Sequence, residues 1–171
     1  MLNPAYLRVL RKIRARLDSA DVNWVIRGSF GLALQGVPVE PPDIDIQTDE
    51  AGAYKTEQLF SEFVIKKVAF CSAERIRSHF GALIIDGIKV DIMGDIQRCD
   101  DDGTWDEPVD LEHHKRIIDV EGMQTPVLPL EHEYQAYLKL GRMEKVKTLR
   151  KWLHGGLDSP DSTRLNIGQN T

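Results

Sequence analysis

Residues 22–48 read VNWVIRGSFGLALQGVPVEPPDIDIQT, and this stretch decides the fold. It begins with Val22 to Arg27, an apolar run with Trp24, Val25 and Ile26 that predicts a short strand. Gly28-Ser29 follows as a tight turn, and Phe30 to Gln35 predicts a short helix. Gly36-Val37-Pro38 ends that helix and Pro41-Pro42 prevents another, so Asp43-Ile44-Asp45-Ile46 enters as a new strand closed by Thr48. Side chains alternate along a strand, which puts Asp43 and Asp45 on one face and Ile44 and Ile46 on the other. One face belongs to a core and the other is acidic.

Two like charges about 7 Å apart on a strand are mutually unfavourable unless a cation or a proton neutralises them. A third carboxylate lies further along the chain. Ala82 to Asp86 and Ile88 to Met93 are β-rich runs joined at Asp86-Gly87, a strong hairpin signal. The second arm repeats the alternation, with Lys89 and Asp91 on one face. If that arm lies beside Asp43 to Ile46, three carboxylates converge within the strand spacing of about 5 Å. Such oxygen-only donors suit Mg²⁺ or Mn²⁺, which keep waters and recruit substrate phosphates, so a nucleoside triphosphate is the implied ligand. Gly28-Ser29 then offers phosphate oxygens the backbone N–H groups of a helix start and the Ser29 hydroxyl. In a two-metal scheme one ion activates an acceptor hydroxyl and the other holds the triphosphate, with Asp91 positioning or deprotonating the acceptor.

Outward from this stretch, Asn3-Pro4 predicts a helix start, and Leu7, Leu10, Ile13 and Leu17 form one apolar stripe among arginines and lysines. The basic remainder is read as a solvated face rather than an RNA or membrane contact. Ala51 to Phe63 predicts a helix, Ile65 to Phe70 a strand, and Arg98 to Asp110 a loop. Lys115 to Val120 and Gln124 to Leu128 predict a hairpin around Glu121-Gly122. After Pro129, two helices are expected at 130–154. Leu130, Tyr134, Tyr137 and Leu138 line the first, and Met143, Val146, Leu149 and Leu153 the second, with Gly141 between them. The tail from Leu157 to Thr171 is polar and is expected to be mobile.

The order strand, Gly-Ser, helix, Asp-x-Asp on a strand, then a lone Asp on a later strand resembles the DNA polymerase β-like nucleotidyltransferase superfamily. It resembles in particular the small bacterial members of that superfamily, including relatives of antibiotic-modifying nucleotidyltransferases. The resemblance covers Val22 to Met93. It implies an α/β (α+β) fold, with a small mixed sheet carrying the aspartates, helices on one side and a C-terminal helical pair closing the nucleotide cleft. A second resemblance lies in LPLEHEYQAYLKLGRMEKV, which is similar to the C-terminal helices of small members. It implies that Lys139, Arg142 and Lys145 stand on the phosphate side, although Val146 occupies a position where the family often has Asp.

The chain has 171 residues, enough for one domain with a genuine core, expected over 1–156 with its central part at 22–128. Its 42% hydrophobic and 29% charged residues exclude wholesale disorder. A net charge of −5 disfavours a long nucleic-acid partner, because such affinity comes from clustered cations. No apolar run reaches the roughly 20 residues that span a bilayer. Cys71 and Cys99 show no CxxC spacing, so a reducing, cytoplasmic setting is expected. Asp100 to Gly103 fails as a calcium loop, since Gly103 at its sixth position places Arg98 first and Val109 last. His113-His114 are adjacent and cannot grip one metal as an i, i+4 pair would.

The function expected is metal-dependent transfer of a nucleoside monophosphate from a nucleoside triphosphate, such as ATP, to a hydroxyl acceptor, with a small molecule favoured. The alternatives are a protein or tRNA acceptor, as in toxin–antitoxin nucleotidyltransferases, and a non-catalytic nucleotide-binding module. A homodimer is compatible with either.

Overall fold

Asn3 caps the first helix, α1 (Pro4–Ser19), by accepting from the Ala5 N–H at 2.9 Å. This is seen in a computed structural model that describes Met1 to His154, so the tail at 157–171 lies outside the described residues. The apolar stripe of α1 is buried at Leu7, Leu10, Ile13 and Leu17, joined by Val9. Its basic face is spent within the chain: Lys12 pairs with Asp86 at 2.7 Å, Arg14 with Asp18 at 3.4 Å, and Arg16 with Glu62 at 2.5 Å.

The next elements are β1 (Trp24–Arg27), α2 (Gly28–Leu34), β2 (Ile44–Thr48), α3 (Glu50–Leu59) and a 3₁₀ turn at Ser61–Phe63. Then come β3 (Val64–Ser72), β4 (Ile76–Ile85), β5 (Ile88–Arg98), α4 (Leu111–His114), β6 (Arg116–Val120) and β7 (Met123–Val127). They form one seven-stranded sheet in the order β3-β4-β5-β2-β1-β7-β6. β2 runs antiparallel to β1 and parallel to β5, so the sheet is mixed at its centre.

The core lies against one face of this sheet, where Ile26, Ile44, Ile46, Val90 and Ile92 meet α1 and Phe30 of α2. α3 packs so closely on β5 that a Cβ at Gly94 would stand 2.7 Å from the Asp49 carbonyl oxygen and 2.8 Å from Ala53 Cβ. The other face has its own small cluster, in which Val25, Leu111 and Leu128 pack with Val109. The expectation that helices lie on one side is therefore corrected by α4, which brings Leu111 to the opposite face.

Three strands run longer than the sequence pattern indicated, and β3 spans Val64–Ser72 where Ile65 to Phe70 was expected. β4 starts at Ile76, not Ala82, and β5 continues to Arg98. The expected loop after it is tied by a Cys99–Trp105 bridge, an Arg98 N–H bond to the Asp106 carboxylate at 2.6 Å, and the Arg77 guanidinium 4.2 Å over the Trp105 ring.

The chain divides into two units, Met1–Pro129 and Leu130–Thr171. In the second, α5 (Leu130–Leu140) and α6 (Met143–His154) are joined at Gly141, whose φ is +70°. Tyr137, Val146 and Leu149 are buried as expected, whereas Leu138 and Met143 are exposed. Leu138 follows the buried Tyr137 and so turns away from that face, and Met143 opens the first turn of its helix.

Candidate active site

The site follows from the sheet register. β2 pairs with β5 so that Asp45 stands directly beside Asp91, flanked by the pairs Ile44–Val90 and Ile46–Ile92. The isoleucines and Val90 go to the core, which leaves the aspartates on the opposite face. Asp43 sits one residue ahead of β2, in the turn rather than in the strand. One carboxylate oxygen from each of Asp43, Asp45 and Asp91 lies within 4.8 Å of the others. Asp43 and Asp45 are half-buried and Asp91 is buried.

Gly28 comes to this cluster because β1 is antiparallel to β2, which sets Arg27 opposite Asp45 at the end of β1. Its φ of +67° is in the left-handed region, and a Cβ there would collide with Asp45 Oδ2 and stand 3.2 Å from Asp45 Cγ. Glycine is required twice over, by conformation and by space. Ser29 follows in the first turn of α2. With only Gly28–Leu34 in the helix, its donors toward an anion are the individual N–H groups and the Ser29 hydroxyl rather than a long dipole.

Several residues outside the predicted set shape the site. The Tyr6 hydroxyl donates to the Pro41 carbonyl at 2.9 Å and its ring packs on Phe30 with centroids 5.4 Å apart, fixing the turn that delivers Asp43. Burial, and then the negative charge of Asp43, push the Tyr6 phenol above its usual pKa. Arg27 is a buried cation opposite Asp45. Gln47 continues the Asp43, Asp45 alternation and is buried beneath them. The alternation itself would have found Gln47, and the antiparallel register would have found Arg27; no sequence signal announced Tyr6. Lys89 Nζ lies 3.2 Å from Asp91 Oδ1, the closest charge to the third carboxylate among the ion pairs described.

All the donors at the centre are carboxylate oxygens, and a buried carboxylate of this kind beside two others suits a hard divalent cation. The predicted set thus separates into two groups. Gly28, Asp43, Asp45 and Asp91 come together in the first unit, and Ser29 follows Gly28 in the chain. Lys139 lies in the last turn of α5, Arg142 between the helices, and Lys145 in α6 with its Nζ 5.9 Å over the Tyr137 ring.

A family model described as aminoglycoside-2''-adenylyltransferase matches residues 9–156. An inferred nucleotidyltransferase from Thermotoga maritima, known from its crystal structure, is 66% identical, with 91% of this chain and 96% of that one covered and a TM-score of 0.80. ANT(2'')-Ia in complex with adenylyl-2''-tobramycin is 11% identical, with coverages of 94% and 93% and a TM-score of 0.57. The lincosamide adenylyltransferase LnuA, lincomycin-bound, is 13% identical, with coverages of 88% and 97% and a TM-score of 0.54. These last two likenesses show a shared fold. No curated protein matches. Among the described residues no helix is long and apolar enough to cross a membrane.

Proposed function

The chain belongs to the aminoglycoside-2''-adenylyltransferase family and is a nucleotidyltransferase, and from that premise we propose that it transfers a nucleoside monophosphate from ATP to a hydroxyl of a small molecule. The observation that carries the reading is the meeting of Asp43, Asp45 and Asp91 within 4.8 Å, against a glycine that leaves no room for a side chain. The small-molecule acceptor is supported by the adenylylated tobramycin and the lincomycin of the two structural neighbours.

Asp43, Asp45 and Asp91 would hold Mg²⁺ or Mn²⁺, which supplies neutralising charge to the triphosphate and lowers the cost of forming an alkoxide. The residues themselves do the rest. The Gly28 and Ser29 N–H groups and the Ser29 hydroxyl bind phosphate oxygens. Asp91 orients the acceptor hydroxyl and takes up its proton. The hydroxyl oxygen forms a bond to the α-phosphorus, the bridging bond to the β-phosphate breaks, and pyrophosphate leaves with the electron pair.

The test is incubation with labelled ATP, Mg²⁺ and hydroxyl acceptors, alongside Mg²⁺-dependent ATP binding in the wild type and in Asp43→Ala. Adenylylated product and binding that Asp43→Ala abolishes are expected. Absence of turnover together with binding that is unchanged in Asp43→Ala would overturn the reading.

A further inference from the structure

The face of the sheet that carries the aspartates does not stop at Asp91. Across β5 and β4, Asp91 pairs with Ala82, Met93 with Phe80 and Lys89 with Ile84, so these side chains share that face. On β3, Lys66 pairs with Ala82 and Ala69 with Phe80, extending the same strip to the sheet edge. The opposite side of these strands is the packed one, with Leu83, Ile85, Val90 and Ile92 in the core. Toward β1 the aspartate face is covered by Val109, Leu111 and Leu128. Over β5, β4 and β3 its rim stays open, although Ala82 beside Asp91 is buried: Ile84 is 43% exposed, Phe80 and Met93 are half-buried, and Lys66, Ala69 and Lys89 are exposed.

The strip is apolar along its middle and cationic on both flanks. Lys66 Nζ lies 4.9 Å over the Phe80 ring, and Lys89 Nζ lies 3.2 Å from Asp91 Oδ1. Apart from Asp91, none of these residues is acidic. Lysine on an edge strand commonly blocks edge-to-edge pairing, which accounts for Lys66. Lys89 is on β5, inside the sheet between β4 and β2, where its pair with Asp91 holds a cation at the rim of the aspartate cluster.

We infer that this strip is the seat of the acceptor, and that the acceptor is a hydroxyl compound with a flat apolar body and a carboxylate or phosphate group, not a polycationic aminosugar. The inference rests on the proposed transfer to a hydroxyl near Asp91. A molecule whose hydroxyl reaches Asp91 and whose body continues along the same face meets the half-buried Met93 and Phe80 next, then Lys89 or Lys66. An anionic group there gains complementary charge, whereas ammonium groups meet two lysines and whatever cations the aspartates hold.

Four probes that differ in one substituent test this: benzyl alcohols bearing in the para position hydrogen, carboxylate, phosphate or aminomethyl, with tobramycin as a polycation. Each is titrated into the full chain, with Mg²⁺ and a nonhydrolysable ATP analogue present, while the methyl resonances of Met93 and Ile84 are followed. Saturable shifts are expected from one or both anionic probes, roughly five- to ten-fold tighter than from the aminomethyl probe. The two anionic arms tell carboxylate from phosphate. Lys89→Glu should erase that preference, and Phe80→Ala should weaken all the aryl probes while leaving ATP-analogue binding unchanged. Absence of saturable shifts from both anions, tighter binding of the aminomethyl probe or tobramycin, or an unchanged preference in Lys89→Glu each overturns the inference. Transfer to tobramycin with Mg²⁺-dependent ATP binding intact would overturn it alone, leaving the proposed reaction in place.

Discussion

Gly28→Ala puts the geometry of the site to a quantitative test. At φ +67° an alanine costs about 1–2 kcal/mol in backbone strain. For a chain of this size each kcal/mol moves Tm by roughly 2–4 °C, so a loss of about 2–8 °C is expected. The larger effect is on Asp45. The new Cβ would collide with its Oδ2 and approach its Cγ to 3.2 Å, so the carboxylate has to swing aside by about 1 Å to regain ordinary contact distance. A displacement of that size in a reacting group costs on the order of 10²-fold in rate. Gly87→Ala is the control, because its φ of +80° carries the same strain with nothing within 4 Å of the added methyl. Thermal denaturation and initial rates of pyrophosphate release, measured on both variants, should show similar losses of stability and a collapse of turnover only in Gly28→Ala. If Gly28→Ala retains wild-type turnover, or if Gly87→Ala loses as much activity, the crowding of Asp45 is not what makes glycine necessary.

The other expectations concern the charges and the packing behind them. Mg²⁺ at about a hundred times its dissociation constant should stabilise the protein by about 2.7 kcal/mol, a rise in Tm of roughly 5–10 °C, and calorimetric scans of Asp45→Asn should show that rise largely gone. Tyr6 has a raised pKa, so the folded state holds its proton more tightly than the unfolded state; its contribution is complete below about pH 10 and is lost as pH rises through the folded value. Melting curves taken from pH 9 to 11 should therefore fall more steeply for the wild type than for Tyr6→Phe, and parallel curves would refute the assignment. Gly94→Ala forces α3 off β5 and should cost about 1–3 kcal/mol in denaturant titrations with the KM for ATP unchanged.

How much of this was legible in the sequence depends on how local each signal was. The strand at Asp43 to Ile46 declared itself through alternation alone, and Asp86-Gly87 announced the hairpin through turn chemistry, with both residues indeed at positive φ, +50° and +80°. That Asp91 would stand beside Asp45 was a conditional statement until the parallel β2–β5 pairing supplied the condition. The early part of β4 was missed because Arg77, Ser78 and His79 break the apolar pattern; those polar groups are held by partners such as Gln97 and Tyr54, which local reading does not bring together. Arg27 and Tyr6 were missed for the same reason. Their importance lies in what faces them across the sheet or from another helix, and spacing along the chain does not encode it.

The stability of the site and its chemistry are joined in the alternation of β2. Two carboxylates 4.8 Å apart repel by roughly 3.5 kcal/mol at an effective dielectric near 20. Fully burying one isoleucine contributes about 1.5–3 kcal/mol, and Ile44 and Ile46, on either side of Asp45, are both completely buried. The core side of the strand therefore contributes about 3–6 kcal/mol, enough to hold Asp45 in register against one such repulsion, with Lys89 beside Asp91 and Arg27 opposite Asp45 offsetting more. A strand without that apolar face would relieve the repulsion by turning its acids outward. Here the same residues that fill the core keep the acids together, and a bound cation would relieve the repulsion of the remaining pairs.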